Sequence, residues 1–241
     1  MSGPTKTPPK AAYVPPWHAL EQTGVQEFTY ADVTRTDLHR LFDAPPQRVL
    51  DIGCAAGAVG LGIKKAFPGA HVWGCELDTR AAEIARTRLD RVSTTPTATW
   101  DEAELAELAH IDTVLLLDVL EHMYNPWAEL QRLARHLSER AQVIISLPNI
   151  GHLSIMRDLA NGYWHYKPYG LLDITHLRFF TEHEMLRLVY QTGFRAERKE
   201  YLLARPVPPI ERFPVQLDMG NVKLTVRDHD HWLSLNALQI G

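Results

Sequence analysis

The sequence predicts an α/β fold, a largely parallel sheet with helices on its faces, and three observations carry that reading. Arg48 to Glu76 reads as strand, glycine turn, helix and strand in immediate succession. The run Val114 to Leu117 is wholly apolar, as a strand buried on both faces requires. Apolar strand-length runs and helical periodicities alternate along most of the 241 residues, a length suited to one α/β domain with a substantial core.

The elements follow in order. Residues 1–22 are proline-rich and read as a segment without fixed structure, and 23–241 as the domain. A helix is expected over 31–42 and the first strand over 47–52. A helix over 57–67 stops at Pro68-Gly69, and a strand follows over 71–76. Asp78 is placed to cap the next helix, whose apolar face is Ala81, Ile84, Ala85 and Leu89. A weak third strand is expected near 97–100, followed by a short acidic helix. Asn125-Pro126 opens a helix as cap and first-turn proline, and Gln142 to Leu147 is the fifth strand. Residues 149–180 are rich in Gly, His, Tyr and Trp with weak periodicity. A connection that long is expected to act as a lid or substrate wall. Thr181-x-x-Glu184 reads as a capping box and Gly193 as the far end of that helix. Val222–Val226 and His231–Ile240 alternate in strand fashion.

The first strand–turn–helix unit carries an acid near each strand tip, Asp51 and Glu76. Strand tips and the helix N-terminus form the ligand crevice of a parallel sheet. A dinucleotide site wants G-x-G-x-x-G, with helix amides facing a pyrophosphate. Here Ala55 stands at the second glycine and Asp51 would set a carboxylate beside a dianion. A cofactor with an ammonium and a sulfonium but no phosphate gains from an acid at that point. Glu76 suits a ribose diol in either case. The acid before the turn favours S-adenosylmethionine.

VLDIGCAAG followed by GCELD resembles the first two cofactor motifs of class I S-adenosylmethionine-dependent methyltransferases. The resemblance continues through DTVLLLDVLEHMYNPW and VIISLPNIGH to GLLDITHLRFFTEHEMLRLVYQTGF, covering roughly Tyr30 to Phe194. That last stretch is similar to small-molecule methyltransferases found beside bacterial glycosyltransferases and, more distantly, to the ubiquinone-pathway type. The resemblance implies a Rossmann-like sheet of seven strands, the last antiparallel. It also implies O-methylation of a small molecule or sugar. The Asn/Asp-Pro-Pro-aromatic signature of many base and amide methyltransferases is absent, and Asp118-Val-Leu-Glu121 stands in its place.

Cofactor contacts are expected from Asp51, Gly53, Cys54, Ala55 and Gly57 around the turn, from Glu76 and Leu77, and from Asp118 at the methionine end. Asp101 either flanks the adenine or starts the acidic helix. Tyr30 and Arg35 are candidates to close over the cofactor, and Glu121 and His122 are read as opening a loop. His152, at the rim after the fifth strand, and His176, in the presumed lid, are the candidate general bases. Each can equally be a loop-holding residue.

No metal is expected. Pro148-Asn149 lacks the acid of the Asp-Asn pair that magnesium-dependent members carry, and Asp228-His229-Asp230-His231 reads as a solvated turn. A net charge of −4 and a pI near 6.3 offer no footprint for nucleic acid. No apolar run approaches a membrane span, and the start lacks a signal-peptide core. Cytoplasmic location, two packed thiols (Cys54 and Cys75), and a small-molecule or saccharide acceptor are expected, with a homodimer possible. A cofactor-binding but catalytically idle scaffold, or N-methylation of a small amine, remains the alternative.

Overall fold

The computed structural model describes residues 33–241, so the N-terminal segment, Tyr30 and the start of the expected 31–42 helix lie outside the described residues. A short 3₁₀ helix, Thr36–Leu41, leads into β1 (Arg48–Ile52). Then come α1 (Ala58–Ala66), β2 (His71–Cys75), α2 (Thr79–Arg86), β3 (Arg91–Ser93), α3 (Glu102–Glu107), β4 (Thr113–Leu117), α4 (Pro126–His136) and β5 (Gln142–Pro148). The second half adds α5 (Leu153–Ala160), α6 (Glu182–Gln191), β6 (Tyr201–Leu203), β7 (Val215–Asp218), β8 (Lys223–Val226), α7 (His229–Asn236) and β9 (Ala237–Ile240).

Seven strands form one sheet in the order β3-β2-β1-β4-β5-β9-β6, and β7-β8 form a separate hairpin. β1 to β5 are mutually parallel, whereas β9, the last strand, runs antiparallel to both of its neighbours. The strand order reverses between β1 and β4, which places the ligand crevice at their carboxyl ends. Alternation along the central strands feeds two cores. Leu50, Ile52, Val114 and Leu116 pack with Trp73, Leu130, Leu133 and Leu188. Val49, Val72, Leu115 and Ile144 pack with Ile63, Ala85 and Leu89 on the opposite face. Both faces are dry, which is why β4 reads as an unbroken apolar run.

Local chemistry sets the helix starts. Asp78 accepts the amides of Arg80 and Ala81, and Asn125 accepts that of Ala128 ahead of Pro126. Asp101 and Glu104 close a reciprocal capping box on α3. Thr181 accepts the Glu184 amide at 3.4 Å, but the Glu184 carboxylate turns to Arg187 instead of reciprocating.

Three expectations are corrected. The third strand is Arg91–Ser93, and 97–99 is a 3₁₀ turn that brings Trp100 onto Trp73, ring centroids 4.6 Å apart. Ile84 is exposed. The buried stripe of α2 is Ala81, Ala82 and Ala85, small enough for the Gly57 turn to approach closely. Residues 229–236 are helical, because Asp228 accepts the His231 amide as an N-cap, and the strand begins only at Ala237. Among the described residues no helix is long and apolar enough to cross a membrane.

Asn149 joins the halves. Its side chain, fully buried, donates to the carbonyls of Ser234 and Ala237 and accepts the Gly151 amide. Asn149→Ala leaves those buried groups unpaired and should cost about 1–3 kcal/mol. A lowered urea midpoint with an unchanged slope is the expected result, and an unchanged midpoint would show that water replaces the amide.

Candidate active site at the carboxyl ends of β1, β2 and β4

After β1 the chain turns through Gly53, Ala55 and Gly57, all at positive φ (74°, 47° and 77°). Ala55 therefore occupies a left-handed position that normally suits glycine. A Cβ on Gly53 would lie 2.3 Å from the Val119 side chain, so this turn packs directly on the exit of β4. The amides of Gly53 and Cys54 donate to the Cys75 carbonyl, stitching the turn to β2. The Glu76 carboxylate accepts the amides of Ala55 (2.9 Å) and Asp78 (2.8 Å), which fixes it beside the turn.

Asp51 is buried, and its Oδ2 has no hydrogen-bond partner among the described residues. Burial, reinforced by the neighbouring Glu76 charge, pushes its carboxyl up to about 7. Burial likewise raises the thiols of Cys54 and Cys75, which are unbonded to each other and inert. Leu77 is exposed beside Glu76. Asp101 is engaged as the cap of α3, the second of the two roles open to it. Arg35 bonds Asp37 at 3.0 Å and shares a small recess with Ser146, Tyr201 and Gln239.

The β4 exit forms the other half of the site. Asp118 has φ 55° and accepts two bonds from Gln239 Nε2, at 2.7 and 2.8 Å. Burial raises its carboxyl, opposed by the Gln239 bonds and the Arg35 charge. Gln239 is a site residue that sequence reasoning missed, because it comes from β9. Glu121 is 1 % exposed, and neither of its carboxylate oxygens has a hydrogen-bond partner among the described residues. Burial, opposed by its own backbone amide and aided by the charges of Asp118 and Asp173, pushes it up to about 8.

Residues 149–180 contain α5 and then fold back over this exit. The amides of Leu177 and Arg178 donate to the Glu121 carbonyl, and Asn149 bridges to Phe180. That return sets His176, which is buried, with its Nε2 3.9 Å from Glu121 Oε1 and its ring 4.8 Å from that of His122. Burial and the neighbouring His122 lower its pKa. His152 lies at the start of α5. It caps α5, its Nδ1 accepting the Ser154 amide at 3.1 Å, and burial lowers its pKa.

Such a strand order, with carboxylates around a glycine turn at the switch point, defines a Rossmann-like methyltransferase. A family model described as a methyltransferase domain matches residues 26–199, and the chain belongs to that family. It is 32% identical over 108 residues to a ubiquinone biosynthesis O-methyltransferase of Dechloromonas aromatica (strain RCB), covering 43% of this chain and 45% of that one. It is 29% identical over 121 residues to a malonyl-[acyl-carrier protein] O-methyltransferase of Anoxybacillus flavithermus, covering 48% and 46%. The aligned region thus spans less than half the length of these curated relatives.

Among solved structures, a SAM-dependent methyltransferase from Archaeoglobus fulgidus superposes with a TM-score of 0.55 at 17% identity, covering 92% of this chain and 91% of that one. The plantazolicin methyltransferase BpumL in complex with SAH gives 0.54 at 22% identity, covering 78% and 73%. The cofactor is S-adenosylmethionine. The residues fit it, since a buried carboxyl at Asp51 with one oxygen unpartnered among the described residues and the Glu76 carboxylate suit a cationic, ribose-bearing ligand.

Asp51 has a pH signature. Below about pH 4 its carboxyl is protonated in the folded and unfolded chain alike. Between about 4 and 7 only the folded chain keeps the proton, so its contribution to stability is lost as pH rises, by at most about 1.4 kcal/mol per pH unit. Asp51→Asn should flatten the decline in urea midpoint between pH 5 and pH 7.5. An identical decline in both proteins would place the Asp51 carboxyl in water.

Proposed function

We propose that the protein transfers the methyl group of S-adenosylmethionine to a hydroxyl of a small molecule, with the acceptor seated against Glu121, His122 and His176. The observation that supports this most is contact between the two halves of the site. The Gly53 turn packs on Val119, so the polar cluster at the β4 exit adjoins the cofactor turn. A scaffold that only bound the cofactor would gain nothing from an unpaired buried glutamate beside two imidazoles. The curated relatives are named as O-methyltransferases, which agrees with an oxygen acceptor. Exposed rings at Tyr163, Tyr166 and Tyr169 in the 149–180 segment offer flat apolar faces to a sugar, and a saccharide is the acceptor class we favour.

When bound, the cofactor supplies a methyl group already activated by its sulfonium. The chain's task is then alignment in a dry pocket, where positioning can contribute about 7–11 kcal/mol. We assign Asp51 to the cationic methionine part and Glu76 to the ribose, with Gly53, Cys54, Ala55 and Gly57 shaping the turn between them. Leu77 borders the adenosine, while Arg35 and Asp118 flank the methionine end. Asp101 is assigned to capping. Residues 149–180 act as the substrate wall.

Of the two candidate histidines, His176 is the one assigned to the reacting oxygen. His152 Nδ1 accepts a backbone amide, so its neutral ring carries the proton on Nε2 and has no free lone pair to offer. His176→Ala should lower kcat by about 10²–10⁴-fold at saturating cofactor, and His152→Ala by less than about tenfold. The assay is transfer of labelled methyl to a panel of sugars, phenols and amines. Label on amines alone would reject the oxygen acceptor, and no transfer to any acceptor would favour the idle scaffold.

Glu76→Ala removes charge-assisted hydrogen bonds to the ribose, which should weaken cofactor binding by about 1.5–3 kcal/mol, roughly 10–150-fold. Calorimetry on the folded variant checks this, and unchanged affinity would remove Glu76 from the ribose site.

A further inference from the structure

We propose that Glu121, His122 and His176 form a site for one divalent cation of the zinc, manganese or iron(II) type. Each side chain offers one ligand atom, and the three atoms lie within 4.8 Å of one another. Glu121 Oε1 is 3.9 Å from the Nε2 atoms of both His122 and His176. Bonds of about 2.0–2.1 Å in a tetrahedral site put ligand atoms about 3.3–3.4 Å apart, so each glutamate–histidine pair needs to close by roughly half an ångström and the two imidazoles by at most about 1.4 Å.

The Glu121 carboxylate points into this cluster from a position 1 % exposed, with both oxygens unpartnered among the described residues. Ionising a carboxyl this buried, with no side-chain donor among the described residues, is costly, and a cation between it and two imidazoles offsets that cost.

The far side of the His122 ring is also held. His122 Nδ1 lies 3.3 Å from the Thr175 carbonyl and 3.2 Å from Thr175 Oγ1. The Thr175 hydroxyl proton is committed to Asp173 Oδ1 at 2.6 Å, so the imidazole must donate from Nδ1. This tautomer leaves the Nε2 lone pair facing Glu121. A ligating histidine commonly shows this arrangement, its other nitrogen held by a backbone carbonyl.

The donor set selects the ion. Two imidazole nitrogens and one carboxylate oxygen suit borderline transition-type cations better than calcium or magnesium, which take oxygen cages. Three protein ligands leave a position open, the arrangement of catalytic rather than structural sites. His122 is half-exposed, so that position faces solvent. A cation there would lower the pKa of a bound hydroxyl, and His176 would then act on the acceptor as a ligand rather than as a free base. That role rests on the oxygen-acceptor reading above, whereas cation binding itself does not.

The departure from the metal-free expectation has a plain origin. That expectation rests on the β5 exit, where Asn149 ties backbone groups together, and on Asp228–His231, where Asp228 caps a helix. The ligands lie instead at the exit of β4 and in a segment more than fifty residues later, joined by the bonds from Leu177 and Arg178 to the Glu121 carbonyl.

The test uses the full chain, stripped with a chelator and free of cofactor and acceptor. Manganese(II) chloride is titrated with free ion followed by electron paramagnetic resonance, and zinc chloride by calorimetry. One saturable equivalent per chain is expected for at least one of the two ions. Glu121→Gln and His122→Ala should each weaken binding by more than about 100-fold, beyond the usual effect of losing a second-shell partner. His231→Ala, in the Asp228–His231 cap, should leave it unchanged. S-adenosylmethionine affinity verifies that each variant is folded. Should Glu121→Gln fail that check, the half-exposed His122→Ala decides. The proposal is overturned if neither ion binds stoichiometrically to the folded wild type. Equal affinity in the folded variants, or loss of binding in His231→Ala, would overturn it as well. Absence of methyl transfer would not.

Discussion

Carboxyl groups held out of water at the edge of a parallel sheet are the constraint around which this structure is organised. Asp51 lies within β1 and Glu121 just after its neighbour β4, at the point where the strand order reverses. Neither has the full set of hydrogen bonds that a buried carboxylate ordinarily requires, and burial raises the pKa of both. The apolar rows on both faces of the sheet must hold these groups against their desolvation cost. The two acids sit where ligands that carry positive charge can meet them.

The rest of the fold delivers parts to that edge. The Gly53–Gly57 turn fits under α2 only because Ala85 is small, and it meets the β4 exit only because Gly53 has no side chain. β9 brings Gln239 to Asp118, while Asn149 ties β5 to the α7–β9 junction. The stack of Trp73 on Trp100, with Arg91 over the Trp73 ring, secures the outer strands beside Glu76. The segment after α5 closes the arrangement by bonding to the backbone of Glu121, leaving several aromatic rings in solvent.

Much of this was legible from the chain. β1, β2, β4 and β5 announce themselves as apolar runs, and Asp78 and Asn125-Pro126 mark helix starts by local hydrogen bonding alone. Edge strands are harder. β3 is three half-buried residues without periodicity, and the apolar Trp100 beyond it belongs to a stack instead of a strand. In 229–236 apolar alternation resembled a strand, yet the Asp228 cap and the helix it starts prevailed. The carboxylates Asp51 and Glu76 could be placed from their strands. Glu121, His122 and His176 could not be grouped, because a tertiary return of the chain brings them together and no spacing encodes it. Gln239 was hidden for the same reason.

The central claim is that one continuous site runs from the Glu76 end of the turn to the cluster at the β4 exit. A crystal structure of the protein with S-adenosylhomocysteine tests it most directly. The account requires the ribose hydroxyls against Glu76, the amino-acid portion over Asp51 and the Gly53–Gly57 turn, and the sulfur facing the Asp118–Glu121–His176 side. A cofactor lodged away from the β1–β4 switch point, or one whose sulfur faces away from that cluster, would contradict it.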